Sequence, residues 1–220
     1  GSNPGNARFV PPIHENVPEL MGDLELFAHN SDLHIPPLLK AAIMHYQFET
    51  IHPFLDGNGR IGRLMVPLYL VAQGILKKPV LYLSGYLERN REEYYERLTR
   101  VRKENAMNDW LHFFLDGLGE TAAHGVQTFN SILKFNSHWE NEISAWKPHG
   151  TSGLALFQFL FTQVWVNAQL VMKATHVSAP TAYKLIARFV SNGLLREITG
   201  AKRDRLFLFD PYLNLFKHSS

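Results

Sequence analysis

Apolar residues recur at helical spacing along most of the chain, with an extended stretch at its start and two short alternating runs near its end. The pattern predicts a first helix from Val17 to His29, with Asn16 as its cap and Pro18 in its first turn. A second follows Pro36-Pro37 and ends by Thr50, with Leu38, Ala41, Ala42, His45 and Phe48 on one face. The rhythm Ile61, Leu64, Met65, Leu68, Tyr69, Val71, Ala72 predicts a third helix from Asn58, stopped near Gly74. Pro67 falls inside it and is expected to bend it or to open one backbone bond. Further helices are expected from Ser84 to Lys103 and from Asn108 to Trp146, the latter interrupted near Gly117 to Gly119. After a Gly- and Pro-containing stretch, Ala145 to Gly153, the spacing predicts helices over 153–166, 169–174 and Ser178–Asn192, the last stopped by Gly193. Two strands then close the chain, Leu194–Ile198 and Leu206–Phe209, around a polar tip from Thr199 to Asp204.

The expected fold is therefore mainly α in two parts: residues 1–145, a linker at 146–152, and a module at 153–220 whose three helices and two-stranded wing resemble a winged helix-turn-helix. At 220 residues and 45% apolar content the chain can bury one sizeable core and a smaller one. A formal net charge of +2 provides no whole-molecule field toward nucleic acid or membrane. The absence of cysteine excludes a disulfide scaffold and a thiolate metal site and fits a reducing, cytoplasmic setting. No apolar run reaches about 18 residues and no charged-then-apolar leader opens the chain, so neither a spanning helix nor a signal peptide is expected. Gly1-Ser2 resembles a cloning scar, and the natural N-terminus is expected to lie upstream.

The chemistry is concentrated in residues 52–63, His-Pro-Phe-Leu-Asp-Gly-Asn-Gly-Arg-Ile-Gly-Arg. If a helix starts near Asn58, Gly57 and Gly59 sit in the turn before it, where a bare backbone can approach a ligand closely. Unpaired N–H groups of the first turn, aided by the helix dipole, then face an anion. Arg60 and Arg63, three apart, can both fork onto phosphate oxygens at that end. Asp56 belongs in such a pocket only with a cation between it and the anion, and Mg²⁺ held by one carboxylate plus substrate phosphates is the usual arrangement. His52 has an unperturbed pKa of about 6.5, suited to a general base at neutral pH.

This run resembles the Fic family signature, His-x-Phe-x-(Asp/Glu)-Gly-Asn-Gly-Arg-x-x-Arg, at every defined position. Arg8-Phe9-Val10-Pro11-Pro12, His45-Tyr46-Gln47-Phe48-Glu49 and Glu93-Tyr94-Tyr95 extend the likeness to roughly residues 7–118. The resemblance implies a Fic-type helical bundle with a short β flap and transfer of AMP from ATP to a Ser, Thr or Tyr hydroxyl of a target protein. On it, His52 is the base, Asp56 the Mg²⁺ ligand, and Gly57, Asn58 and Gly59 the anion hole. Arg60 is implied for the β-phosphate region, Arg63 for the γ-phosphate, and Phe54 as a core anchor for the loop. Tyr95 is implied as a platform for adenine, whereas Arg102 stands where relatives often carry Asn. Gly59 is not replaced by Lys, which favours nucleotidyl transfer over phosphotransfer.

The resemblance also implies that residues 7–14, around Phe9 and Val10, form one arm of a flap that receives the target as an added strand. Relatives are often restrained by a helix with (Ser/Thr)-x-x-x-Glu-(Gly/Asn). Glu15-Asn16, Glu104-Asn105 and Glu140-Asn141 all lack the Ser or Thr, so that element is expected upstream or from a partner. In the second module Tyr183, Lys184, Arg188, Lys202, Arg203 and Arg205 are candidates for a DNA backbone, diluted by Glu197, Asp204 and Asp210; a packing or homodimer role is the favoured reading. His45, Glu49 and His52, at i, i+4 and i+7, suggest a metal triad only if the helix continues to His52, which Pro53 argues against. The alternative function is a nucleotide-sensing DNA regulator whose pocket binds without turnover.

Overall fold

A computed structural model describes residues 9–201 and 204–217. Ten helices occur among them: α1 (Val17–His29), α2 (Pro37–Ile51), α3 (Asn58–Ala72), α4 (Leu83–Arg89), α5 (Arg91–Glu104), α6 (Met107–Ser144), α7 (Gly150–Leu160), α8 (Ala168–Thr175), α9 (Ala179–Ser191) and α10 (Asp210–Lys217). The strands β1 (Trp165–Val166), β2 (Arg196–Glu197) and β3 (Phe207–Leu208) form one antiparallel sheet in the order β1-β3-β2. Trp165 and Arg196 flank Leu208 from opposite sides, and Val166 and Glu197 flank Phe207. The fold is thus mainly α with one small sheet.

The chain divides into two compact units, Gly1–Gly125 and Val126–Ser220. The division falls inside α6, ahead of the segment expected as a linker. Ile143 and Trp146, at 0% and 8% exposure, are buried in the second unit's core, so the composition of residues 146–152 marks a turn between packed helices.

In the first unit α2 is buried almost all round: Ala41, Ala42, Met44, His45, Phe48 and Ile51 all lie in the interior. Such a helix is a core element rather than an amphipathic surface one. Trp110 and Phe114 of α6, Leu70 of α3 and Leu83 of α4 close around it. Two features differ from expectation here. Residues 84–103 do not form one helix: Asn90 leaves helical dihedrals at φ −106° and ψ 33° and separates α4 from α5, its backbone N–H and side-chain amide both donating to the Tyr86 carbonyl at 3.0 Å. Conversely α6 continues through Gly117, where a Cβ would come within 2.5 Å of the Tyr86 ring; the glycine permits close packing rather than a break.

Smaller departures follow the same logic. Asn16 has helical dihedrals and makes no side-chain cap bond, because a 3-10 turn at His14–Asn16 already feeds α1. α3 passes through Pro67, which is buried and leaves the Arg63 carbonyl without its usual N–H partner. Its buried face carries Asn58, Gly62, Val66, Tyr69 and Leu70, whereas Ile61, Leu64 and Leu68 are 41–55% exposed. Phe9–Ile13 pairs with no strand among the described residues, and Ala7 and Arg8 of the expected flap lie outside them. In the second unit, residues 153–166 end as β1, whose Val166 is fully buried beside Phe207, and α10 follows β3. Phe157, Phe189, Leu156, Leu185 and Phe209 form this unit's interior.

Candidate active site

The loop between α2 and α3 is shaped by three residues. His52 ends α2 with φ 50° and ψ 58°, its N–H bonded to the Phe48 carbonyl at 2.9 Å, so the chain turns out of the helix at the imidazole. Gly57 precedes α3 with φ 88°, a conformation a side chain would strain. Asn58, 2% exposed, closes the loop: its Oδ1 accepts from the Phe54 N–H at 2.9 Å and its Nδ2 donates to the Phe54 carbonyl at 2.5 Å. Its side chain is therefore spent on the loop, and only its backbone can face an anion. Phe54 was expected as a core anchor, yet its ring is 48% exposed against Phe48; the anchoring passes through its backbone instead. Asn58→Ala removes both bonds and orphans the Phe54 backbone, and should cost about 1–3 kcal/mol of unfolding free energy by urea titration, with nucleotide affinity falling in parallel.

No side chain caps α3. Its first-turn amides open on a cavity of about 320 Å³ lined by Asp56, Gly57, Gly59, Arg60, Arg63, Leu87, Glu88, Arg91, Tyr94 and Tyr95. The structure thus brings together Asp56, Gly57, Gly59, Arg60, Arg63 and Tyr95, each given a role from the sequence, and with them Tyr94. The α4–α5 wall adds Glu88 and Arg91, which sequence reasoning missed because nothing in their local pattern distinguishes them from an ordinary solvated face. Arg60 donates to Asp56 Oδ2 at 2.9 Å, an exposed pair that a bound anion and cation can separate. Arg63 is fixed from behind, its Nε donating to Ser84 Oγ at 3.1 Å. Tyr95 is 41% exposed, with the Arg91 guanidinium 5.9 Å from its ring centre. His52 is exposed and lies outside the cavity lining, with the Phe9 ring edge-on at 6.5 Å.

Beneath the cavity lies a buried polar layer. His45 is fully buried, its Nε2 3.1 Å from the Tyr94 hydroxyl and its ring stacked on Trp110. Burial lowers its pKa to about 4, against a contrary pull from the Gly62 backbone. Burial likewise raises the Tyr94 phenol, reinforced by the Glu49 charge. His45 and His52 do not share a helical face, and no cluster of three potential metal ligands occurs among the described residues, so the triad of His45, Glu49 and His52 is not assembled. A neutral buried imidazole favours the folded state fully above the ordinary value of 6.5 and ceases to do so as pH falls through 4. Between about pH 7 and about pH 4.5 the wild type should lose about 2–3 kcal/mol more stability than His45→Gln in urea titrations at each pH.

The second unit offers less for nucleic acid. Arg205 pairs with Glu197, Arg196 with Asp210 at 2.7 Å, and Arg188 lies over Trp146 at 4.3 Å. Tyr183 and Lys184 are exposed on α9; Lys202 and Arg203 lie outside the described residues.

Residues 2–70 match the Fic/DOC family. The chain is 38% identical over 101 residues to a probable protein adenylyltransferase of Aquifex aeolicus (strain VF5), covering 46% of this chain and 28% of that protein. It is 38% identical over 92 residues to the protein adenylyltransferase fic-1 of Caenorhabditis elegans, covering 41% and 17%. A Fic family protein from Desulfovibrio desulfuricans G20 shares the fold with a TM-score of 0.51 and 23% identity over 90% of this chain and 56% of that one. The chain therefore spans less than a third of these two curated relatives' own length. No helix among the described residues is long and apolar enough to cross a membrane.

Proposed function

From a chain that carries a Fic/DOC domain, we infer a protein adenylyltransferase that moves AMP from ATP to a Ser, Thr or Tyr hydroxyl of a target protein and releases pyrophosphate. The observation that carries this reading is the uncapped start of α3, opening between Gly57, Gly59, Arg60 and Arg63 on the cavity that Asp56 borders, close after an exposed imidazole at the end of α2. Free amides, a helix dipole and two guanidiniums suit a polyphosphate, and an accessible imidazole suits the removal of a hydroxyl proton. The relatives' adenylyltransferase names and the unbroken signature support the same chemistry.

In the reaction the target oxygen bonds to the α-phosphorus, the bond from that phosphorus to the pyrophosphate oxygen breaks, and the hydroxyl proton passes to His52. Gly57 and Gly59 give the amides access to the phosphate chain, Arg60 takes the β-phosphate region and Arg63 the γ-phosphate. Asp56, exposed at the cavity's edge, is a carboxylate that would hold Mg²⁺, and that ion would supply charge neutralisation. Tyr95, with Arg91 against its ring, offers a stacking platform for the base. Phe9 and Val10, the latter 60% exposed, sit where an incoming strand can add. The second unit, with α8 and α9 followed by the β2–β3 pair, is read as a winged helix serving packing or dimerisation, since its described arginines are already engaged. Restraint of the activity is assigned to an upstream segment or a partner.

The test is incubation of the protein with Mg²⁺, α-labelled ATP and lysate. Label on protein, with pyrophosphate released and the label lost on chelation, is the expected result. Transfer of γ-label instead would assign phosphotransfer, and bound nucleotide without any label would favour the sensing role.

A further inference from the structure

Glu49 is a buried charged group beside the cavity that the proposed chemistry leaves unused. It stands on the last turn of α2, 8% exposed, and its Oε1 has no hydrogen-bond partner among the described residues. That oxygen lies against the bare first turns of α3, 2.7 Å from the point a Gly62 Cβ would occupy and 3.8 Å from that of Gly59. Arg63 Nη1 approaches the same Gly59 point at 3.1 Å, so carboxylate and guanidinium face each other across that glycine. A buried carboxylate without hydrogen bonds costs several kcal/mol unless opposite charge offsets it. Burial pushes the Glu49 pKa up, and the charges drawing it back are Arg63 and then Arg102. Arg102 is itself half-buried, held over the Phe9 ring at 4.1 Å, which leaves Arg63 as the partner that also lines the cavity.

We propose that Glu49 is a positioning residue: its carboxylate, lodged behind Gly59 and Gly62, holds the Arg63 guanidinium at the cavity wall before an anion arrives. Ser84 Oγ accepts from Nε, whereas Glu49 makes no ion pair with Arg63 within 4.0 Å and acts on the guanidinium through its charge from the glycine side, leaving the remaining N–H groups for the ligand. An arginine ordered in advance loses less conformational entropy when it binds. The glycines at 59 and 62 then have a second role, since a side chain at 62 would displace the carboxylate. The inference rests on the adenylyltransferase reading only for the identity of the anion, a terminal phosphate.

The experiment compares the wild type with Glu49→Gln, which keeps the shape and removes the charge, and Glu49→Asp, which keeps the charge. Two quantities are read on the full chain: the rate at which phenylglyoxal modifies Arg63, followed by peptide mass spectrometry, and the affinities for MgATP and MgADP by calorimetry. Glu49→Gln should raise Arg63 modification about fivefold and weaken ATP roughly tenfold, leaving ADP within about twofold, with partial recovery in Glu49→Asp. Combined with Arg63→Ala it should weaken ATP no further, because the two residues act as one unit. Unchanged Arg63 reactivity, equal losses for ATP and ADP, or additive effects with Arg63→Ala would overturn the proposal. If the wild type binds neither nucleotide, the adenylyltransferase reading fails while the Arg63 reactivity still decides the role of Glu49.

Discussion

His52→Ala is expected to lower the rate of AMP transfer by about a hundred- to ten-thousand-fold, the range a positioned general base contributes. The loss should fall on kcat, with little change in ATP affinity, because the imidazole is exposed and lies outside the cavity lining, with the Phe9 ring edge-on at 6.5 Å. Stability should change little as well. The residue is exposed, and the left-handed backbone at φ 50° is already carried by a side chain with a Cβ, so alanine adds no new strain. Transfer kinetics with labelled ATP, nucleotide titration and thermal melting on the same preparation separate the three effects. A variant that transfers at the wild-type rate removes His52 from the mechanism. One that loses ATP binding instead makes the imidazole part of the nucleotide site.

Trp110→Ala should be the most destabilising single change in the first unit. The side chain is fully buried, its indole N–H donates to the Ala42 carbonyl at 3.0 Å, and its ring packs on His45, Tyr46, Tyr94, Phe113 and Phe114 at centroid distances of 5.3 to 6.3 Å. Removing a buried Trp costs about 3–5 kcal/mol in lost transfer energy and residual cavity. The stranded Ala42 carbonyl adds about 1–3 kcal/mol more. Against a total stability of about 5–15 kcal/mol, this removes a large share of the folding free energy, and the unfolding midpoint should fall steeply. Because Tyr94 both packs on Trp110 and lines the cavity, nucleotide affinity should fall with stability. Trp110→Phe keeps most of the ring and loses only the hydrogen bond, so it should retain the cavity at a cost of about 1–3 kcal/mol. Urea unfolding followed by near-ultraviolet circular dichroism measures both variants; a Trp110→Ala protein that unfolds at the wild-type midpoint contradicts the packing described here.

α1, α2 and α3 lie within a residue or two of where apolar spacing and helix signals placed them, because those signals are local. The same spacing placed Ile61, Leu64 and Leu68 on one helical stripe, yet these three are partly exposed and the buried stripe runs through Asn58, Gly62 and Val66. α2 occupies that side, and its near-complete burial requires the small residues of α3 against it. Phe54 reads as a core residue by type but is held by an asparagine four residues later. Residues 84–103 read as one helix because the departure of a single residue, Asn90, from helical dihedrals leaves no trace in hydrophobic periodicity. Trp146 lies in a stretch of linker composition, and only its contacts with Phe189 and Arg188 reveal that the stretch is packed.

By itself the sequence carried the groups of the proposed site: an imidazole, a carboxylate, bare amides and two arginines within twelve residues, in an order that is meaningful without reference to any distant segment. That is so because a glycine's freedom at φ 88°, the exposed N–H groups of a helix start and the three-residue spacing of Arg60 and Arg63 are consequences of local geometry. The tertiary structure alone decided what faces that loop. Leu87, Glu88, Arg91 and Tyr95 reach the cavity from α4 and α5, and Glu49 is buried against Gly59 and Gly62 only because α2 and α3 pack closely side by side. Contacts between residues distant in sequence depend on how whole helices close upon one another, and hydrophobic periodicity specifies which residues are apolar, not which partner each one meets.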